Sequence, residues 1–480
     1  MMSDFSSAPS PWLIWKTRRY VVAFLGFFGF FTCYALRVNL SVAIVAMTEL
    51  KNITLENGTT KLVKEFDWDS KIQGYVLSSF FYGYVVTPLV GGFAATKFGG
   101  RTVFGIGIGV TAFLTIITPF AVKSSVYLFI VVRILEGLFE GVTYPSMHAV
   151  WSKWAPPLER SKLAMIAVSG SYVGTVVAMP VCSLLATTLG WESIFYVFGA
   201  FGVLWSVLWM TLIAETPEND SSISQYELKY ITQAINEHKT TPLEHIPWRS
   251  FFTSMPVWAI IVANFVENWG FYTTLTQVPT FMKYVLHFDM NSVGFVSSLP
   301  YLACSITVQL AGQLADFLRR RKIMTTTEVR KFLNCGAFVF QTIFMLLAAF
   351  LMTPVGTTIC LTIAIGFGGM ALAGFLVNHL DIAPQFASIL FGISNSIGSV
   401  PGIISPILTG YIVTDTTSAD QWRVVFYVAS AIYIFGTLFY GFFASGELQS
   451  WASHKEEDDE KPDDKNGGGK ANLSFQTDTF

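Results

Sequence analysis

The sequence predicts an all-α membrane protein with twelve transmembrane helices in two pseudo-symmetric six-helix bundles. Three observations carry that expectation. Of 480 residues, 52% are hydrophobic and 15% aromatic while only 13% are charged, a balance that excludes an ordinary soluble domain and describes a chain solvated largely by lipid. Twelve runs reach the length of about 20 apolar residues that a bilayer-crossing helix needs; they lie near 20–47, 72–96, 102–122, 126–150, 163–188, 193–214, 255–282, 292–317, 332–353, 355–377, 385–413 and 424–444. The chain also repeats itself. An offset of 220 residues, without gaps, lays Asp69, Gly74, Val76, Ser78, Gly92 and Arg101 on Asp289, Gly294, Val296, Ser298, Gly312 and Arg321, and a looser echo pairs Ser169 and Ser171 with Ser394 and Ser396.

In chain order, residues 1–19 read as a cytoplasmic amino-terminal tail and 20–214 as the first bundle. The stretch 215–254, rich in Glu, Thr, Ser and Pro, reads as a cytoplasmic linker, 255–444 as the second bundle, and 445–480 as a disordered cytoplasmic tail with the acidic run Glu456 to Glu460. The first run follows Lys16, Arg18 and Arg19 but is too long for a signal-peptide core and lacks a small-residue cleavage site, so it stays as a span. Orientation follows from positive charge, which short cytoplasmic loops retain. With the amino terminus inside, inner segments hold 21 of the 30 basic residues and outer segments 7, Arg37 and Arg133 lying within spans. The long outer loop after the first span carries two glycosylation acceptors, Asn52-Ile-Thr and Asn57-Gly-Thr, on the side this orientation makes lumenal or extracellular. The five cysteines all fall within spans, with no disulfide framework or metal-ligand spacing.

Four charges sit where charge is costly, at roughly 3 kcal/mol each near mid-membrane: Arg37 in the first span and Arg133, Glu136 and Glu140 in the fourth. At 100° per residue, Glu136, Glu140 and His148 lie roughly 300°, 340° and 60° from Arg133, so one continuous helix puts all four on one face. Arg133 and Glu140 can pair directly or through Glu136. Gly137 and Gly141 form a small-x-x-x-small pair for close helix packing. Clustered carboxylates in a dry site with a nearby cation can load and release protons; the alternative is a permanent ion-pair network that locks helices together. His148, near the cytoplasmic end, suits a gate. Glu267, twelve residues into the seventh span, is either a second proton or cation ligand or an acid facing a wet vestibule.

The segment Gly92 to Arg101 resembles the glycine and basic loop of the major facilitator superfamily, with Thr96 where that motif has an acid. The second copy, Gly312 to Asp316 followed by Arg319 to Arg321, keeps the acid. Four further stretches resemble the anion/cation symporter family, which contains sialin, the vesicular glutamate transporters and the type I sodium/phosphate cotransporters. They are Tyr34 to Ala43, the Ser-Ser-Phe-Phe-Tyr-Gly-Tyr around Gly83, Arg133 to His148, and Trp154 to Ser161, within a likeness running from about 18 to 445. The resemblance implies a major facilitator fold in which Arg37 holds the substrate carboxylate, Glu140 is the coupling-proton site paired with Arg133, and Glu136 supports it. It also implies that Tyr34, Tyr82, Ser394 and Asn395 line the anion pocket. Leu77 and Glu267 stand where the vesicular glutamate transporters carry a histidine and an arginine, which argues against glutamate loading of synaptic vesicles. Leu36 replaces an aspartate of bacterial sugar-acid relatives.

The expected function is secondary active symport of a small organic anion, such as sialic acid, an acidic sugar or an acidic amino acid, driven by a proton gradient through alternating access. A sodium-coupled inorganic phosphate or organic anion cotransporter is the first alternative and an anion channel the second. No enzyme is expected, because no nucleophile and base pair, metal-ligand set or phosphate loop stands in a wet segment. No cofactor is expected beyond the coupling ion, proton or sodium. The partners are the anion and the lipid bilayer, with no nucleic acid, and the chain is expected to be a monomer in the plasma membrane or an endolysosomal or vesicular membrane.

Overall fold

The computed structural model describes residues 17–54, 60–156, 159–237 and 246–452. Helix α1 (Arg18–Thr48) begins two residues before the predicted span, and the outer loop after it contains an antiparallel hairpin of β1 (Leu50–Thr54) and β2 (Thr60–Lys64), with Leu50 opposite Lys64. The hairpin is the exception to the all-α expectation. Helices α2 (Ser70–Phe98) and α3 (Gly100–Ser124) follow, and the fourth span is broken into α4 (Val126–Glu140) and α5 (Thr143–Trp154). Then come α6 (Arg160–Thr188), α7 (Glu192–Leu212), a polar helix α8 (Gln225–Glu237) within the linker, and the short α9 (Trp248–Thr253).

The second set comprises α10 (Met255–Tyr284), α11 (Met290–Arg320), α12 (Thr326–Leu351) and α13 (Pro354–Ala371). A π turn (Leu372–Leu376) joins α13 to α14 (Val377–Ile382), α15 (Ala387–Gly398) and α16 (Pro401–Ile412) form the eleventh span, and α17 (Ala419–Phe443) closes the fold. Nine of the described helices are long and apolar enough to cross a membrane, or ten if α2, bent near Pro88, counts as one. The α4–α5 pair, with Arg133, Glu136 and Glu140, and α10, with Glu267, complete the twelve.

Within the first set α1 packs on α6, α3 on α7 and α2 on α4; within the second, α12 packs on α13 and α17, and α11 on α13. The two sets meet along α6 with α11, α2 with α16 and α1 with α10. The sequence repeat is visible atom by atom. Asp69 and Asp289 both cap a helix, accepting from the N–H of Ile72 at 2.8 Å and of Ser292 at 3.3 Å. Gly74 lies against the Pro406 carbonyl of α16, and Gly294 against the Met179 carbonyl of α6, so the two glycines allow equivalent close approaches between the halves. At the hairpin end those seams are fastened by Lys283 to Glu49 at 2.6 Å, Tyr75 to Tyr411 at 2.8 Å and Thr187 to Asn291 at 2.7 Å.

At the opposite end the linker docks rather than hangs free. Arg18 binds Asp220 at 2.7 Å, and Arg19 binds Glu159 at 2.9 Å and Glu227 of α8 at 3.0 Å. These contacts also draw Arg18 and Arg19 out of the expected tail into α1. Glu215, just after α7, sets its carboxylate against Gly99 (φ +90°) and binds Lys153 at 2.8 Å, which brings an acid to the loop whose own acid position is Thr96. The tail expected to be disordered from residue 445 is packed as far as 452: Gly446 N–H donates to Thr327 at 2.8 Å, and Trp451 meets Phe251 edge-on and lies tilted against Phe386. The acidic run and Asn57 lie outside the described residues, and Asn52 lies in β1.

Candidate functional site

Glycines set up the site by removing side chains where α2 crosses α4. A Cβ on Gly137 would collide with the Phe80 carbonyl, one on Gly141 with Thr87 and Tyr84, and one on Gly83 with the Ile134 carbonyl. The small-x-x-x-small pair therefore brings α4 onto α2, and Glu140 at the end of α4 meets α1. There Arg37 donates from Nε and Nη2 to Glu140 Oε1 at 3.0 and 2.6 Å, with the two side chains only 2% and 1% exposed. The guanidinium also lies over the rings of Tyr84 (4.5 Å), Tyr34 (4.6 Å) and Phe80 (5.1 Å), an aromatic cage that favours a cation in a dry site.

Of the two expected links between Arg133 and Glu140, the direct pair is not formed and the contact with Glu136 is. Arg133 reaches one turn along its own helix to Glu136 at 2.6 Å, and α1 supplies the partner of Glu140 instead. Glu136 is fully engaged, since Thr115 and Thr118 of α3 also donate to its Oε1 at 3.1 and 3.2 Å. Glu140 is not: its Oε2, together with Nη1 of Arg37 and Nε of Arg133, is buried without a hydrogen-bond partner. Arg37, Ser41, Leu77, Phe81, Arg133 and Thr276 border a cavity of about 10 Å³, room for a single water. The cavity is too small to admit a solute larger than water beside Arg37.

Of the other predicted site residues, Tyr34 belongs to the cage and its hydroxyl accepts from Tyr144 at 3.4 Å. Tyr82 does not belong to it; it is 39% exposed on the outer stripe with Tyr75, Val86 and Phe93, and Tyr84 occupies the place expected for it. Ser394 accepts from Asn264 at 2.8 Å, and Asn264 accepts from Asn268 at 2.6 Å, a polar chain linking α10 to α15. Asn395 lies beside it, half-buried, its carbonyl accepting from Ser399. Neither Ser394 nor Asn395 touches Arg37 in this arrangement. His148 is separated from the α4 acids by the break at Gly141–Val142, so the continuous wheel fails there; it is exposed and faces Phe391 of α15 at 6.2 Å between ring centres. Glu267 is buried inside the second set, against Gln341 and Gly368.

The structure adds residues that the sequence reading passed over. Phe80 is shared by Arg37 and Arg133, its ring 5.1 Å from one guanidinium and 5.3 Å from the other. Helical spacing of Phe80 and Tyr84 opposite the glycines of α4 was the available signal. A third buried ion pair joins Arg330 of α12 to Asp381 of α14 at 2.6 Å, and Arg330 also donates to the Ala373 carbonyl of the π turn at 2.9 Å.

Residues 22–406 match the family model described as Major Facilitator Superfamily. Among curated proteins the chain is 46% identical to vesicular glutamate transporter 1 of Bos taurus over 450 residues, covering 92% of this chain and 80% of the relative. It is 43% identical to sialin of Homo sapiens over 451 residues, 90% of each. Among solved structures it is similar in fold to a bacterial homolog of the human lysosomal transporter Spinster in an inward-facing, occupied conformation (TM-score 0.69, 14% identity, 88% of this chain and 96% of that one). It is also similar to a D-xylose-proton symporter (TM-score 0.65, 16% identity, 89% and 97%).

Proposed function

The chain belongs to the major facilitator superfamily, and within it to the anion/cation symporter family that includes the vesicular glutamate transporters and sialin; on that premise we propose that it carries a small organic anion in symport with protons by alternating access. One observation carries the reading: Arg37, the cation in the cage, is held by the carboxylate of Glu140 with that acid's second oxygen unsatisfied. A substrate carboxylate and Glu140 compete for the same guanidinium. A proton on Glu140 removes its charge and frees Arg37 for the anion; loss of that proton restores the pair and expels the anion. Proton and anion therefore travel together, with Glu136, Thr115, Thr118 and Arg133 as a fixed buttress.

A proton and a monoanion that cross together carry no net charge, so the pH gradient drives this step, at about 1.4 kcal/mol per pH unit. Opening of the tyrosine-rich pocket toward the polar Asn268, Asn264 and Ser394 of the other half would give hydroxyl-bearing anions such as acidic sugars and sialic acid a hydrogen-bonding wall, while Leu77 at the cavity supplies no charge for a second carboxylate. In this reading both termini are cytoplasmic, the hairpin faces the lumen or exterior, and Asn52 and Asn57 are glycosylated.

The test is radiolabelled uptake of sialic acid, glutamate, aspartate, urate and phosphate into proteoliposomes under imposed proton or sodium gradients. The proposal expects saturable uptake of an organic acid driven by protons. Uptake driven by sodium alone, or unitary currents without counterflow, contradicts it.

A further inference from the structure

Glu267 is a buried acid that the Arg37–Glu140 exchange does not use. It is 6% exposed, and the described residues offer it no cation; its one hydrogen bond is a long one, from Gln341 Nε2 to Oε1 at 3.5 Å. Oε2 has no partner. Beside it, Oε1 of Gln341 and the hydroxyl of Tyr433 also lack a hydrogen-bond partner among the described residues, on side chains that are essentially inaccessible, although buried polar groups normally find partners.

Two glycines make the space. A Cβ on Gly368 would collide with Glu267 Oε1, and a Cβ on Gly270, one turn along α10 from Glu267, would collide with the Tyr433 hydroxyl. The titratable groups near the acid come from three helices, Tyr433 of α17, Cys304 of α11 and Tyr172 of α6, with Tyr301 of α11 beside Tyr433 and Cys304. None is basic. Gln341 and Gly368 complete the surroundings from α12 and α13.

We propose that Glu267 is a second cation site of the carrier, one that binds and releases a proton inside the second bundle. A bare carboxylate in this setting has neither a cation nor enough donors, so a cation must neutralise it. A proton on Oε2 turns that oxygen into a donor in an interior where Gln341 Oε1 is an unused acceptor. The site is connected to moving parts. The Gly368 carbonyl accepts from Leu372 N–H where α13 gives way to the π turn, and π turns inside helices mark functional bends. The next residue, Asn268, begins the polar chain to Ser394. Loading and unloading of Glu267 is thereby placed to bias the second bundle as Glu140 biases the first, giving two coupled protons per anion. This stoichiometry rests on the transport reading; proton binding itself does not.

Two measurements separate the claims. Infrared difference spectra of the purified full-length protein across a pH titration are expected to show a protonated-carboxyl band that disappears in Glu267→Gln and shifts in Glu267→Asp. In proteoliposomes clamped at zero potential, accumulation of N-acetylneuraminate or L-glutamate is expected to change about a hundredfold per pH unit in the parent and about tenfold in Glu267→Gln, since each coupled proton contributes a factor of ten. A band that does not titrate, or that is identical in Glu267→Gln, overturns the site. If Glu267→Gln fails to fold, an unshifted band in Glu267→Asp does the same. A band displaced by sodium at constant pH overturns the proton as its ion. A titrating band without any anion uptake in the parent leaves the site standing and removes the transport reading.

Discussion

Arg37 and Glu140 are 103 residues apart in the chain and meet through Nη2 and Oε1 at 2.6 Å, both almost wholly buried. Removing one partner of such a pair leaves an uncompensated charge, at a cost of about 3–5 kcal/mol. The pair is therefore stable only as a pair, and anything that displaces Glu140 from Arg37 must bring either a proton for the acid or another carboxylate for the guanidinium. This mutual dependence is the physical content of coupling in the proposed mechanism.

Arg37→Ala should abolish anion uptake while the protein still reaches the membrane, and Arg37→Lys should restore little, because an ammonium cannot reproduce the two-nitrogen grip on one oxygen or the flat fit against Tyr34 and Tyr84. Surface labelling alongside uptake checks this; normal transport by Arg37→Ala rules out the pocket.

Glu136 should behave differently from Glu140. With Arg133, Thr115 and Thr118 all bound to it, Glu136→Gln should cost about 3–5 kcal/mol by stranding Arg133, read as a lowered melting temperature, with pH-driven transport retained by the folded fraction. A Glu136→Gln protein of unchanged stability that has lost its pH dependence would reverse the assignment of roles.

The two neighbouring tyrosines of α2 separate cage from surface. Tyr84→Ala, which removes a ring 4.5 Å from the guanidinium, should lower affinity for the anion by about 1 kcal/mol or more, roughly fivefold or greater in half-saturation. Tyr82→Ala, on the exposed stripe, should leave half-saturation within twofold, about 0.4 kcal/mol. Equal effects would place the pocket on the wrong face of α2.

Much of this architecture was legible in the sequence. The repeat that aligned Asp69 with Asp289 and Gly74 with Gly294 reappears as two matching caps and two matching helix crossings, because capping and close approach each demand a particular residue type. The glycines of α4 announced its packing on α2 for the same reason. What failed were matters of rotation and continuity. Arg133 was paired with Glu140 because both lie on one helix; the competing Arg37 is brought in by the packing of α1, which one sequence does not specify. The resemblance points to Tyr82, while the cage around Arg37 holds Tyr84, two positions and about 200° of helix rotation away. The wheel that included His148 assumed an unbroken helix across Gly141–Val142, and Arg330 with Asp381 escaped notice because both sit near span ends, where charges are common.

The clasps at the hairpin end should set the conformational balance weakly. Lys283 and Glu49 are partly exposed, with side chains 18% and 30% accessible, and such pairs contribute about 0–1 kcal/mol. Lys283→Ala should therefore shift the opening equilibrium at that end no more than about fivefold, measurable by accessibility of a cysteine introduced at Ser41. A complete loss of the closed state would mean that the clasp, and not the Gly74 and Gly294 seams, holds that end shut.

Proton uptake on anion binding tests the exchange at Arg37 most directly. The transported anion is added to purified protein in weakly buffered solution at alkaline pH, and protons taken up per anion bound are counted in the parent and in Glu140→Gln. The account predicts one proton fewer per anion in Glu140→Gln than in the parent, with binding still dependent on Arg37. Equal proton uptake by the two proteins would contradict it.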